Sequence, residues 1–133
     1  MTLARDREKA LADLLKAQGY LVERAQNSAR FIGPGRVISN RNDLFGCLDV
    51  LAVDTTGRFL GYQVTSQGSH DNTGSERRTK VASILGSFIG ESFRVRVAAY
   101  STGAGWDWII WELDPVTKEW VRLGRFERDQ LPP

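Results

Sequence analysis

The sequence predicts one α/β (α+β) domain, spanning 1–133, with a single mixed central sheet flanked by helices. Three observations carry this expectation. Two segments, 3–18 and 76–90, repeat apolar residues at helical spacing. Short apolar segments at 20–25, 46–54, 58–66, 93–101, 106–113 and 119–126 read as strands. Their order, helix, three strands, helix, then more strands, is that of helices packed on one main sheet.

Taken in order, residues 3–18 place Leu3, Leu11, Leu14 and Leu15 on one stripe, with Arg5, Lys9, Asp13 and Lys16 away from it. Thr2 can cap the start and Gly19 can end the helix. "YLVERA" follows as a short strand. Residues 26–42, "QNSARFIGPGRVISNRN", are rich in glycine, asparagine and serine. They read as a long functional loop with a short extended piece near Val37. "QGSHDNTGS" is a polar loop, and Ser75 is placed to cap the second helix, whose expected apolar face is Val81, Ile84, Leu85 and Phe88. In "WELDPVTKEW" a turn over 114–117 would set Trp111 opposite Trp120. Core or dimer packing is the default role of the four tryptophans.

Composition excludes several classes. No run approaches the ~18 apolar residues of a membrane span. The first ten residues, "MTLARDREKA", carry no apolar signal core, so a cytoplasmic location is expected. The single cysteine, Cys47, has no internal disulfide partner and reads as a small buried hydrophobe. A single histidine is too few for a zinc site of imidazole and thiolate ligands. The net charge of +2 says little about partners. Arginines cluster, however, at Arg24, Arg30, Arg36 and Arg41, and again at Arg77 and Arg78 beside Lys80. Such clusters are either solvated surface or a face for phosphates.

The stretch "FGCLDVLAVDTTGRFLGYQVTS" holds two misfits, Asp49 and Gln63, inside apolar strands. Both alternating sets of "CLDVLAVD" are apolar, so this strand is expected to be buried on both faces and internal to the sheet. A three-residue loop at Thr55, Thr56 and Gly57 puts the left-handed position on glycine. That register pairs Asp54 with Arg58, Val53 with Phe59, Leu51 with Gly61, Asp49 with Gln63 and Cys47 with Thr65. Opposed residues lie about 4.5–5.5 Å apart at Cβ. Asp49 and Gln63 are then either a hydrogen-bonded polar pair or two oxygen ligands for a hard divalent cation.

A glutamate on the first helix, an aspartate in one strand and a polar-x-polar triplet in its hairpin partner resemble the PD-(D/E)XK nuclease superfamily. The core of that superfamily is αβββαβ, the restriction-endonuclease-like fold. "NDLFGCLDVLAV…GYQVTSQGSHDNTGSERRTKV" looks like a small phage and bacterial group whose nearest described relatives are Holliday-junction-resolvase-like nucleases. The likeness runs over residues 5–90; only strand content extends it further. It implies an endonuclease that uses Mg2+ or Mn2+, acts on DNA, branched DNA included, and works as a homodimer in the cytoplasm (the host's, if phage-encoded).

Carried over by residue, Glu8 takes the helix glutamate position, where it would hold a second metal or order waters, and Asp49 the metal-binding aspartate. Gln63 stands where the triplet has its acid and Thr65 where it has its lysine. The Val64 carbonyl would complete the metal site, with Asp43 of "NDLFG" as an auxiliary. Two departures follow: Gln63 brings no charge, and Thr65 cannot position or deprotonate a water as a lysine does. Lys80, three residues after Arg77 in "RRTKV", is the expected substitute, with Arg77 pointing towards the sheet. The DNA-facing set is Arg24, Ser28, Arg30, Arg41, His70, Arg77 and Arg78. The competing expectations are a DNA-binding module on the same fold that has lost catalysis, and a protein with a purely structural role.

Overall fold

The computed structural model describes residues 3–33, 36–67 and 75–133, with the backbone alone described along 27–42. Helix α1 (Leu3–Ala17) leads into β1 (Leu21–Arg24). The turn between them is closed by Gly19 at φ +98°, a conformation that costs glycine nothing. Next come β2 (Gln26–Gly33), β3 (Arg36–Asn42), β4 (Val50–Val53) and β5 (Phe59–Ser66). Helix α2 (Ser75–Leu85) is followed by β6 (Phe93–Tyr100), β7 (Asp107–Leu113) and β8 (Trp120–Glu127). The expected caps and tips at Thr2 and His70 lie outside the described residues.

The result is a mixed α+β fold. Six strands form one sheet in the order β1-β4-β5-β6-β7-β8, antiparallel except where β6 runs parallel to β5. Helix α2 lies in the crossover that such a parallel pair requires. β4 lies inside the sheet, between β1 and β5, as its two apolar faces require.

Each face of the sheet has its own core. On one, Leu11, Ala12 and Leu15 of α1 pack on Val50, Ala52, Leu60, Tyr62, Val64, Tyr100, Trp108 and Ile110. Fully burying each of those leucines contributes about 1.5–3 kcal/mol. On the other, Val81 and Leu85 of α2, with Ile89, cover Cys47, Leu48, Val95, Val97 and Leu113. Leu3, expected on the buried stripe of α1, is instead exposed at the helix's first turn.

Four expectations are corrected. Residues 26–33 and 36–42, expected in a loop, are two antiparallel strands, β2 and β3, forming their own two-stranded sheet. Its strands lack apolar alternation, so the sheet left no periodic signal. The 46–54 strand is shortened to Val50–Val53. Upstream, Phe45 (φ 54°) and Gly46 (φ 75°) make a tight left-handed turn closed by Leu44 N–H to Leu48 O at 2.8 Å. Cys47 therefore lies in a turn, not opposite Thr65. Leu48 joins Cys47 in the α2-side core instead of alternating away from it.

The second helix stops at Leu85 and is rotated from its expected phase. Its buried line is Val81, Leu85 and Ile89, while Ile84 is exposed and Phe88 is 71% exposed. Finally, the last hairpin closes two residues later than expected. Asp114 N–H donates to Glu119 O at 2.8 Å, Lys118 adopts φ 60°, and Trp120 pairs with Leu113. Trp111 faces Arg122 across a register shift.

Candidate active site

The β4–β5 hairpin sets the geometry. Asp54 Oδ1 accepts from Thr56 N–H (2.8 Å), Thr56 Oγ1–H (2.6 Å) and Arg58 N–H (3.0 Å), and Gly57 takes the left-handed position at φ 86°. This turn fixes the rungs Val53↔Phe59, Ala52↔Leu60, Leu51↔Gly61 and Val50↔Tyr62, the expected register. Gly61 leaves room there for Leu48: a Cβ would come within 2.5 Å of Leu48 Cδ1 and push that side chain aside.

The ladder ends at Val50. Asp49 N–H donates to Tyr62 O at 2.9 Å, and Asp49 O accepts from Ala25 N–H at 2.7 Å, so the chain bends here. The bend still delivers the carboxylate to β5. Asp49 Oδ2 accepts from Gln63 Nε2 at 2.7 Å and from Val64 N–H at 2.7 Å. Gln63 Nε2 also makes a long 3.3 Å contact to Val64 O. Asp49 is 4% and Gln63 3% exposed. The two misfits are thus a directly bonded, buried pair. One atom of it lacks a partner: Gln63 Oε1 is buried and accepts no hydrogen bond among the described residues. An orphaned buried acceptor is costly and rare.

Glu8 is 3% exposed on the buried line of α1 with Leu11, Ala12 and Leu15. The hydroxyl of Tyr100, at the end of β6, registers the neighbourhood. Burial pushes it up first of all, Arg7 pulls it down, and the negative charges of Glu8 and Asp49 push it up again. Both carboxylates therefore lie within electrostatic range of the same end of the sheet. The Cys47 thiol, fully buried, reports the other side. Burial raises it, Lys80 lowers it, and Asp43 and Asp49 raise it.

Thr65 is partly buried beside Ala99 on β6. Lys80 is exposed on α2, in electrostatic range of Cys47. Arg77 does not point towards the sheet but is exposed, because the helix buries Val81 and Leu85 and turns Arg77 outward. Arg78 takes the inward place, its guanidinium carbon 4.1 Å over the Trp111 ring, with Arg122 5.9 Å from the same ring. Arg24 turns in towards α1 and donates to Arg5 O at 3.3 Å. Ser28, Arg30 and Arg41 stand on β2 and β3, where side chains lie outside the described residues, as does all of His70.

Two clusters escaped the sequence reading. Arg7 stacks 3.9 Å over Trp106 and lies 5.9 Å over Tyr100. The only sequence signal for it was adjacency to Glu8. Arg96, 6% exposed, donates to Glu112 Oε1 (2.9 Å), Tyr62 Oη (2.9 Å), Pro132 O (3.1 Å) and Pro133 O (2.6 Å). Its partners are all distant in the chain, so no local pattern announces it.

No group of three or more histidine, cysteine, aspartate or glutamate side chains fit to hold a metal gathers among the described residues. The ligand set on offer is mixed: one carboxylate, one amide and one backbone carbonyl. The fold and site define a mixed α+β domain with a buried carboxylate–amide pair near one end of its sheet. No family model, curated protein or solved structure matches this chain.

Proposed function

We propose that the chain is a metal-dependent DNA endonuclease on a restriction-endonuclease-like core, acting as a dimer on DNA, branched DNA of the Holliday-junction kind included. The observation that carries this reading is the buried Gln63 Oε1 beside Asp49, which has no partner among the described residues. An amide can present either its N–H2 or its oxygen to the same neighbour. A hard cation such as Mg2+ uses carboxylate and carbonyl oxygens together. Asp49, Gln63 and the Val64 carbonyl fit that donor set, and Glu8, whose charge acts on Tyr100 as that of Asp49 does, would order waters around it. When bound, the ion supplies Lewis-acid activation of a phosphate oxygen and lowers the pKa of a coordinated water. The element order α1, β1, β4, β5, α2, β6, with β2–β3 inserted, also supports the αβββαβ reading.

The test is cleavage of duplex, flap and four-way-junction DNA with Mg2+ or Mn2+. The wild type should cut at least one of these, and Asp49→Ala should abolish cutting while leaving DNA binding intact. A wild type that cuts none of them overturns the reading. A second reading, a binding module without catalysis, is favoured by one observation: Asp49 Oδ2 is already engaged by Gln63 and Val64, with threonine in the lysine position. DNA binding that is indifferent to magnesium, with no cleavage, would select it.

A further inference from the structure

The register of the sheet leads from the Asp49–Gln63 pair to a second place. Gln63 pairs with Val97 on β6, Val97 with Trp111 on β7, and Trp111 with Arg122 on β8, so the four stand on one rung. They also share a face. Tyr62 and Val64, on either side of Gln63, belong to the α1-side core, and so does Ile110 beside Trp111. Alternation turns Gln63 and Trp111 to the α2 side, where Val97 is buried and Trp120, two residues before Arg122, is packed. At about 4.8 Å per strand, Trp111 stands about 10 Å and Arg122 about 14 Å from Gln63 along the rung.

Helix α2 covers the middle of this rung, since Val97 is fully buried with Val81 and Leu85. Arg78 and Lys80 are roughly 200° apart around the helix and so stand on its two flanks. Lys80 acts on Cys47, on the Asp49 flank. Arg78 lies on the other, its guanidinium carbon 4.1 Å over the Trp111 ring. Arg122, exposed on β8, reaches the same ring at 5.9 Å. Two guanidinium groups at one indole concentrate positive charge at that spot. The nearby Glu112 carboxylate does not neutralise it, because Arg94 and Arg96 hold that group on the α1 face. A guanidinium held against a ring presents its N–H edge away from the ring, and that edge fits a phosphate.

We infer that Trp111, with Arg78 and Arg122 at its ring, binds a backbone phosphate of the nucleic acid on the α2 face. The span of about 10–14 Å from Gln63 equals about three to four nucleotides of duplex at 3.4 Å each. This deepens the nuclease reading and rests on its placement of the reacting phosphate at Asp49. The bound strand runs from the Asp49 end past the first turn of α2 to β8. Trp111 and Arg122 are positioning residues there: they hold the backbone and read no sequence.

The test uses the full chain in EDTA, so that binding is read without cleavage. Labelled short duplexes of unrelated sequence, and a four-way junction, are titrated at several salt concentrations and followed by fluorescence anisotropy. Arg122→Gln should bind every duplex about tenfold more weakly at moderate salt, and its slope of log affinity against log salt should fall by about one. Arg78→Gln should do the same. Trp111→Phe should keep most of the binding that Trp111→Leu loses. Arg58→Gln, at the far β4–β5 turn, should stay within about twofold of wild type, because charges beyond a Debye length are screened. An Arg122→Gln protein with the wild-type melting temperature, affinity and salt slope overturns the inference, whether or not the wild type cuts DNA. Equal weakening by Arg58→Gln would trace the effect to net charge and overturns it too. If Arg122→Gln weakens binding but the wild type cuts nothing with Mg2+ or Mn2+, the phosphate site stands and the nuclease reading falls. A wild type that binds no DNA even at low salt overturns both.

Discussion

Two buried polar centres sit in the same sheet, and their hydrogen bonding differs. Around Arg96, donors and acceptors match: Glu112 takes Nε and also pairs with Arg94 at 2.9 Å, Tyr62 takes Nη1, and the carbonyls of Pro132 and Pro133 take the rest. Burial alone would lower the affinity of the Arg96 guanidinium for its proton, but Tyr62 and Glu112 more than compensate and hold it up. Beside Asp49 one atom is left over: Gln63 Oε1 accepts no hydrogen bond among the described residues. A completed network stabilises a fold and fixes its ends. An incomplete one is where a ligand could complete the matching.

The largest effect should come from breaking the completed centre. Arg96→Met leaves Tyr62 and two carbonyls without their donor and Glu112 with only half of its charge partners. It should lose about 3–5 kcal/mol in urea unfolding, with no change in any magnesium response. A loss below about 1 kcal/mol would mean the centre is not structural. Next, Gln63→Glu sets two buried carboxylates side by side. In EDTA at pH 8 it should lose about 2 kcal/mol, and millimolar Mg2+ should restore most of it as a raised melting temperature. Indifference of both wild type and variant to Mg2+ would remove the metal reading.

A smaller effect is expected at Gly61. Alanine there presses on Leu48, which is fully buried, and should cost about 1 kcal/mol by overpacking. Because Leu48 adjoins Asp49, the variant should also weaken the wild-type response to Mg2+. Thermal melts with and without the ion would show both. The smallest effect concerns pH. Burial pushes the Asp107 carboxyl up, but Arg125, Ser101 and Gln67 together outweigh it and hold it below its ordinary value. Its contribution is therefore complete above the unfolded value of 3.8 and is lost as pH falls through the lower folded value. Asp107→Asn should flatten that part of the stability–pH curve and leave the Asp49 site unchanged.

What the sequence made legible was local. The loop "DTTG" carries its own register, and counting from it brought Asp49 to Gln63. The α1 line of Leu11 and Leu15, the stop at Gly19 and the burial of Cys47 followed from spacing and size. The illegible parts depend on tertiary choice. Val81, Ile84, Leu85, Phe88 and Ile89 fit two helical stripes equally well, and only the sheet selects Val81, Leu85 and Ile89, which sends Arg77 out and Arg78 in. The bend at Phe45 and Gly46 hides inside an apolar run. The Asp114–Glu119 turn gains length through a left-handed Lys118, which composition does not announce. Arg96 drew no expectation because its partners, Glu112, Tyr62 and the last carbonyls, are distant in the chain.

The parallel pairing of β5 with β6 has a consequence in time. The β4–β5 and β7–β8 hairpins close over short loops, whereas Phe59 must find Phe93 across the whole of α2 and its connections. Local hairpins form in microseconds, and long-range parallel pairing is the slow step. The Asp49–Gln63 pair should therefore exist early, on a hairpin still open to water. Tyr100, and Trp108 edge-on against it, join the β4–β5 hairpin only when β6 docks. In refolding, the tryptophan signal of Trp108 should lag behind the formation of backbone structure, and a chain stalled between the two would carry Asp49 and Gln63 on a hairpin whose neighbouring strand has not yet docked.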